Sequence, residues 1–244
     1  MNVCIWRIPR GENIAWPGSR CVKCGYSLRW FDNVPVLSFL FLRGKCRQCR
    51  VRVSFRYPLV ETIAGVLGVL AYAKWGATPY TIMAMVILWS LIVITGIDLS
   101  HQIIPDCFTL GGILAGFVFS GFYPDWIQKS GSWNPFILSG LGILVGGGFL
   151  LAIAYAAEFF LKKEAMGGGD IKYMAAVGAF FGWHACLFVL FFSSVIGSVF
   201  ALALKGKNGG DQIPFGPYLA AATVFYMFLG ESCIQWYLSS VLQY

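Results

Sequence analysis

The sequence predicts an all-α, polytopic membrane bundle of about seven spans, preceded by a small polar N-terminal head. Three observations predict it. Hydrophobic residues make up 58% of the 244-residue chain and charged residues 12%, against about 45–50% and about 25% in ordinary soluble domains. The apolar runs approach the roughly 20 residues that a helix needs to cross a bilayer. Charge is concentrated at one end: residues 1–57 carry eleven Lys or Arg and two acids, Glu12 and Asp32, while the rest of the chain is slightly acidic.

The head is expected over residues 1–57. It is rich in Arg, Gly and Pro, and its longest apolar run, Val36–Leu42, is too short to span. The first twenty residues lack the apolar stretch of a cleavable signal peptide. Residues 58–244 are expected to form the membrane domain. Seven apolar segments run over 58–75, 80–97, 107–123, 134–161, 171–185, 187–204 and 217–241. Only His184 interrupts the stretch that is divided between the fifth and sixth. Each segment must be helical, because a backbone in hydrocarbon has to satisfy its own hydrogen bonds. The glycines at 146–148 fall inside a span and read as a place of close helix packing.

Loop charge gives an orientation. With the basic head in the cytoplasm, alternation also places the loops 98–106, 162–170 and 205–216 inside. They hold Lys162, Lys163, Lys205 and Lys207, while the outer loops hold only Lys129. This follows the positive-inside rule and predicts an external C-terminus. A basic head beside membrane spans points to anionic membrane lipids as its contact rather than nucleic acid.

Cys21-Val-Lys-Cys24 and Cys46-Arg-Gln-Cys49 are two C-x2-C pairs separated by 21 residues. Each turn aims two thiolates at one point, and the spacing suits a tetrahedral four-cysteine zinc site. Lys23, Lys45, Arg47 and Arg50 favour the thiolate form. The alternative is a pair of disulfides or a redox couple, which a cytoplasmic location disfavours. Four thiolates leave the ion no open position, so its role is to staple a head too small to fold alone. Cys4, Cys107, Cys186 and Cys233 stand apart, and the latter three, in or beside spans, read as packing residues.

Asp98 ends the second apolar segment and Asp170 begins the fifth. The alternation puts both at the same membrane face. An ionisable residue at a span edge is costly and marks a candidate functional site. Two neighbouring carboxylates share a proton, so one can activate water while the other protonates a leaving group. Gly167, Gly168 and Gly169 would let a substrate backbone approach Asp170. Structural readings stand beside this one: Asp98 pairing with His101, or Asp170 capping a helix or pairing with Lys172. An ion path through the membrane and a zinc-headed scaffold are the other functional classes open at this point.

The chain resembles the bacterial type IV prepilin peptidases, membrane aspartyl proteases of the GxGD type. The residues that carry the resemblance are the four cysteines and Arg56-Tyr-Pro-Leu-Val-Glu61. With them go Ile97-Asp98 with Pro105-Asp106, Glu164-Ala-Met-Gly-Gly-Gly-Asp170-Ile-Lys172 and Ile213-Pro-Phe-Gly-Pro217. The resemblance implies that Asp98 and Asp170 are the catalytic pair and that Gly167 and Gly169 are the motif glycines. Asp106, Glu164 and Lys172 are then supporting motif residues. It implies a type IV prepilin or pseudopilin substrate, cleaved after the glycine that ends a short basic leader, at the bacterial inner membrane. It implies a second activity, methylation of the new N-terminus with S-adenosylmethionine, to which Gly44 is linked. The residues alone do not show that cofactor, since no G-x-G-x-x-G pattern occurs in the head. The resemblance also implies an apolar span before the head. Met1-Asn2-Val3-Cys4-Ile5-Trp6-Arg7-Ile8-Pro9 matches the place where that span ends. A shortened start, a member without the span, and a span supplied by another polypeptide are the three alternatives.

Overall fold

The structure is a computed structural model, and it describes residues 1–127, 134–162, 166–204 and 214–241. Most of the described residues are helical, with two isolated β-bridges in the head. Four helices are long and apolar enough to cross a membrane, and Asp106–Phe122 is a shorter apolar helix. The protein is therefore a multi-pass, all-α membrane protein. It divides into two compact units, Met1–Ile97 and Asp98–Tyr244.

The first unit opens with a short helix, α1 (Asn2–Arg7), followed by an irregular segment and the brief α2 (Leu37–Phe41). The long α3 (Arg56–Trp75) and most of α4 (Pro79–His101) complete it. Gly76 closes α3 with φ +64, a conformation that glycine reaches without strain. α1 lies on the same unit's α4 through Ile5: a side chain at Gly96 would meet the Ile5 Cδ1. Arg56 Nη2 donates to the Gly96 carbonyl at 2.6 Å. The head and the two helices are thus tied through the last turns of α4. Ala84, Leu88 and Ile97 are fully buried along it.

The second unit is organised around α9 (Gly168–Leu204), against which α5 (Asp106–Phe122), α7 (Pro135–Ile143) and α10 (Gly216–Phe225) all pack. The short α6 (Pro124–Ile127), α8 (Leu150–Leu161) and α11 (Glu231–Val241) finish the element order. Glycine lets the backbones meet. A Cβ on Gly142 would collide with the Gly178 carbonyl, and one on Gly146 with the Met174 carbonyl. This is small-residue packing, which substitutes for the hydrophobic effect where lipid surrounds the helices. Gly146 and Gly147 lie in a π-helical turn, Leu144–Phe149, that joins α7 to α8. A second π-helical turn, Tyr226–Gly230, joins α10 to α11.

The fifth and sixth apolar segments run as one 37-residue element, α9, broken by non-helical backbone at Gly182 (φ 78, ψ 178). The sequence places that division a few residues later, beside His184. The chain turns at the residue with no Cβ instead, because conformation rather than polarity decides where a helix can break. His184 stacks on Trp183 just beyond it, at 3.6 Å between ring centroids.

Candidate active site and metal centre

Asp98 is the first residue of the second unit. It sits in the last turn of α4 and is only 5% exposed. Its Oδ2 accepts a hydrogen bond of 2.9 Å from the backbone N–H of Gly216. Gly216 is the first residue of α10, where four N–H groups have no partner within the helix. The following Pro217 has no N–H to offer, so the Gly216 N–H and the positive helix end are available to a carboxylate. A Cβ at position 216 would stand 2.7 Å from the same Oδ2 and 3.2 Å from the Asp98 Cβ. Glycine is therefore required there by contact.

Asp170 is the third residue of α9 and is half-buried. Its N–H donates to the Gly167 carbonyl at 3.1 Å, which closes the turn that brings the glycine run into the helix. A side chain at Gly167 would come within 3.3 Å of Asp170 Oδ2, and one at Gly169 within 3.1 Å of Ile104. The two motif glycines thus keep space beside the carboxylate and beside the 102–105 connection. Gly168 faces open space. The Asp98 and Asp170 carboxylates are close enough to act on each other electrostatically.

Asp106 begins α5 and accepts a 2.7 Å ion pair from Lys172 Nζ. Lys172 is therefore directed to Asp106. Both groups are about half exposed, at 58% and 43%, so the pair contributes little to stability. It does tie the start of α9 to the start of α5. Glu164 lies outside the described residues, as do Lys163, Lys129, Lys205, Lys207 and Ile213. One turn beyond Asp170, the Tyr173 hydroxyl and the Thr223 hydroxyl share a buried 2.7 Å hydrogen bond between α9 and α10. Thr223 Oγ1 also donates to the Leu219 carbonyl at 2.8 Å.

In the first unit the four head cysteines converge. Their sulfur atoms all lie within 4.8 Å of one another. Cys21 Sγ is 3.8 Å from Cys49 Sγ, and Cys24 Sγ is 4.0 Å from Cys46 Sγ. A disulfide would hold sulfurs at about 2.0 Å, and all eight cysteines are free thiols. Zinc–sulfur bonds of about 2.3 Å in a tetrahedron give sulfur–sulfur edges of about 3.8 Å. The donor set therefore fits one tetrahedral ion.

The two C-x2-C turns are built alike. The Cys21 N–H donates to the Tyr26 carbonyl and the Gly25 N–H to the Cys21 carbonyl, at 2.8 and 2.9 Å. In the second turn the Cys46 N–H donates to the Val51 carbonyl and the Arg50 N–H to the Cys46 carbonyl, at 2.9 and 3.1 Å. Bridges Arg20–Ser27 and Lys45–Arg52 close them. The residue after each pair is left-handed: Gly25 at φ +71 and Arg50 at φ +58. The backbone N–H groups of Cys24 and Lys23 aim at the Cys21 sulfur and bring its thiol down to about 6.

The comparisons with known proteins divide the chain similarly. Residues 1–75 match the bacterial peptidase A24 N-terminal domain, and residues 85–202 match the type IV leader peptidase family. A prepilin leader peptidase/N-methyltransferase from Aeromonas salmonicida (strain A449) is 35% identical over 94% of this chain and 77% of its own length. The chain belongs to the type IV leader peptidase family. The Legionella pneumophila protein of the same description is 35% identical over 93% of this chain and 77% of itself. The type 4 prepilin-like proteins leader peptide-processing enzyme of Escherichia coli O78:H11 is 33% identical over 94% and 88%. No solved structure matches the chain.

Membership carries the resemblance that the cysteine pairs and the aspartate motifs give. The sequence reading misses Gly216 as a site residue, although Pro214-Phe-Gly-Pro217 contains the signal: a glycine at a helix start, followed by proline. It also misses the Tyr173–Thr223 contact, for which a lone tyrosine and a lone threonine give no pattern.

Proposed function

We propose that this protein is an aspartic endopeptidase of the bacterial inner membrane that removes the short basic leader of a type IV prepilin or pseudopilin. Asp98 and Asp170 are its catalytic pair. The observation that supports this reading is that the Asp98 and Asp170 carboxylates, about 70 residues apart in the chain, lie within electrostatic reach of each other, with Asp98 held by the N–H at the start of α10. Asp98 leaves the last turn of α4 to accept the Gly216 N–H at the start of α10, and Asp170 stands in the first turn of α9, so a helix N-terminus supplies a positive field at each. Lys172, two positions from Asp170, pairs with Asp106 instead.

The chemistry follows from that arrangement. Two carboxylates at short range share one proton. The carboxylate takes a proton from water as the water oxygen bonds to the carbonyl carbon of the scissile peptide. The carboxylic acid gives its proton to the carbonyl oxygen. Collapse of the tetrahedral intermediate breaks the C–N bond, and the leaving amine takes up a proton from the pair. Asp98 Oδ2 is already engaged by the Gly216 N–H, so Oδ1 is the oxygen that handles the proton there. The space kept by Gly167 and Gly169 receives the substrate backbone beside Asp170.

The head holds a structural zinc ion on Cys21, Cys24, Cys46 and Cys49. It lies in the cytoplasm, as its basic charge and the positive-inside rule favour, against anionic lipid. Residues 1–57 form the methyl-transfer region, and residues 58–244 the peptidase. The second reaction moves a methyl group from S-adenosylmethionine to the freed N-terminal amine, which loses a proton. The names of the relatives support this reading.

The test is mass spectrometry of a model prepilin incubated with zinc-loaded protein and S-adenosylmethionine, beside the Asp98→Asn and Asp170→Asn variants. A leaderless product carrying one added methyl, made by wild type alone, is expected. Leader removal by either variant at the wild-type rate would sink the assignment of the pair.

A further inference from the structure

Tyr173 and Thr223 make a polar contact for which peptide cleavage has no direct use. Both lie in the second unit, and both are buried, at 3% and 1% exposed. Their hydroxyl oxygens stand 2.7 Å apart, between α9 and α10. Thr223 Oγ1 donates its one hydrogen to the Leu219 carbonyl at 2.8 Å. The bond between the two side chains therefore runs from the Tyr173 O–H to Thr223 Oγ1. The bond back to Leu219, four residues earlier, also holds the Thr223 side chain in one orientation.

Each end of this chain of bonds lies one helical turn from an aspartate or its partner. Tyr173 follows Asp170 by three residues on α9, the spacing of neighbours on one helix face. The Asp170 carboxylate is within electrostatic reach of the Tyr173 hydroxyl. Leu219 follows Gly216 by three residues on α10, and the Gly216 N–H holds Asp98 Oδ2 at 2.9 Å. The route from one carboxylate to the other is thus one turn of α9, two hydrogen bonds, one turn of α10 and the Gly216 contact.

The start of α9 is fixed to α7 and to the π-helical turn after it, where the Gly178 backbone and the Met174 carbonyl press directly on Gly142 and Gly146. Against α10 the contacts farther along α9 are apolar: Tyr218 lies on Gly197, and Phe225 against Phe188 and Phe192. Apolar packing is non-directional, and packed helices can slide past each other by small amounts. A hydrogen bond has a fixed length and direction and resists that slide. We propose that Tyr173 is a positioning residue of the peptidase: its hydroxyl, through Thr223, sets α10 at the height along α9 where the Gly216 N–H presents Asp98 to Asp170. This rests on the assignment of the aspartate pair above and adds what holds the pair at working distance.

The experiment compares leader removal from a model prepilin by the full zinc-loaded chain in detergent with that by Tyr173→Phe, Thr223→Val, the double variant and Thr223→Ser. Asp98→Asn and Asp170→Asn serve as inactive references. Tyr173→Phe removes the donor and keeps the ring, and Thr223→Val removes the acceptor and keeps the shape. Each should lower kcat about tenfold with KM within about twofold, since a displacement of 1 Å costs about 10²-fold and a smaller slide is expected here. The double variant should fall no further than the worse single one, because both lose the same bond. Thr223→Ser keeps the hydroxyl and both hydrogen bonds, so it should retain nearly the wild-type rate. Hydrogen bonds between helices contribute little to stability in membranes, so the variants should accumulate and unfold close to the wild-type temperature. Should one single variant fail to accumulate, the other decides together with Thr223→Ser. Unchanged kcat in Tyr173→Phe and Thr223→Val would overturn the proposal. So would equal losses in Thr223→Ser and Thr223→Val, or losses that add in the double variant. Cleavage by Asp98→Asn or Asp170→Asn at the wild-type rate would instead remove the catalytic pair, and the positioning role with it.

Discussion

Asp98 takes its place because a helix end receives it. The Gly216 N–H has no carbonyl to bond within α10, and a carboxylate is the best partner it can find in a buried site. The same contact leaves no room for a Cβ, at 2.7 Å from the carboxylate oxygen. Gly216→Ala should therefore keep both aspartates and still displace one of them. A displacement approaching 1 Å costs about 10²-fold in rate. The expected outcome is a fall of that order in kcat for leader removal, with membrane accumulation unchanged. An unaltered kcat would mean that Asp98 does not depend on this contact. Asp106→Asn should do less. It breaks a half-exposed ion pair with Lys172, so a loss of no more than about 1 kcal/mol is expected, read as a severalfold change in rate. At this scale the aspartates and cysteines are legible in the sequence, because charge in an apolar chain and paired thiols stand out. Gly216 is hidden because a glycine beside proline usually marks only a turn.

Elements show what local chemistry does to these residues. The two cysteine turns share one backbone path, but the left-handed position falls on Gly25 in one and Arg50 in the other. A side chain in that conformation costs about 1–2 kcal/mol. Gly25→Ala should weaken the head by about 1 kcal/mol, whereas Arg50→Gly should leave it no weaker than about 0.5 kcal/mol below wild type. Thermal unfolding of the zinc-loaded protein, followed by tryptophan fluorescence, measures both. Asp32, which links the Tyr26 and Arg47 sides of the head, gives a pH prediction. Burial pushes its carboxyl up, but the Arg47 guanidinium, the Arg29 N–H and the Tyr26 hydroxyl more than offset this and hold it below the usual range. The folded head therefore prefers the ionised form. Its stabilisation is complete above the unfolded carboxyl value of about 3.9 and is lost as pH falls below that toward the depressed folded value. The informative quantity is the difference from Asp32→Asn, which should lack this component. The elements also show where sequence patterning stops. The break in α9 lies at Gly182 and not at the polar His184, and the two π-helical turns leave no mark in an apolar run.

At the scale of the whole molecule, two units with different sources of stability share one chain. The second is held by apolar helices whose backbones meet at Gly142, Gly146 and Gly178. The head has few buried apolar side chains, Ile5 and Cys46 among them, and cannot supply the core that a domain of its size requires. That contrast is readable from composition, since one feature is excess hydrophobicity and the other its absence beside four cysteines. The boundary at Ile97–Asp98 is not, because it falls inside one continuous apolar helix. The contrast yields a prediction about metal removal. Where the ion supplies the folding free energy, a chelator unfolds the part that binds it. Hydrogen exchange measured in detergent should then show amides of residues 20–52 losing protection once zinc is stripped. The backbone amides of α9 and α10, Gly216 among them, should keep theirs. Leader removal from a model prepilin would in that case survive in part, because Asp98 and Asp170 belong to the second unit. Loss of protection throughout the chain on chelation would mean that the zinc holds the peptidase as well, and that the two units fold as one.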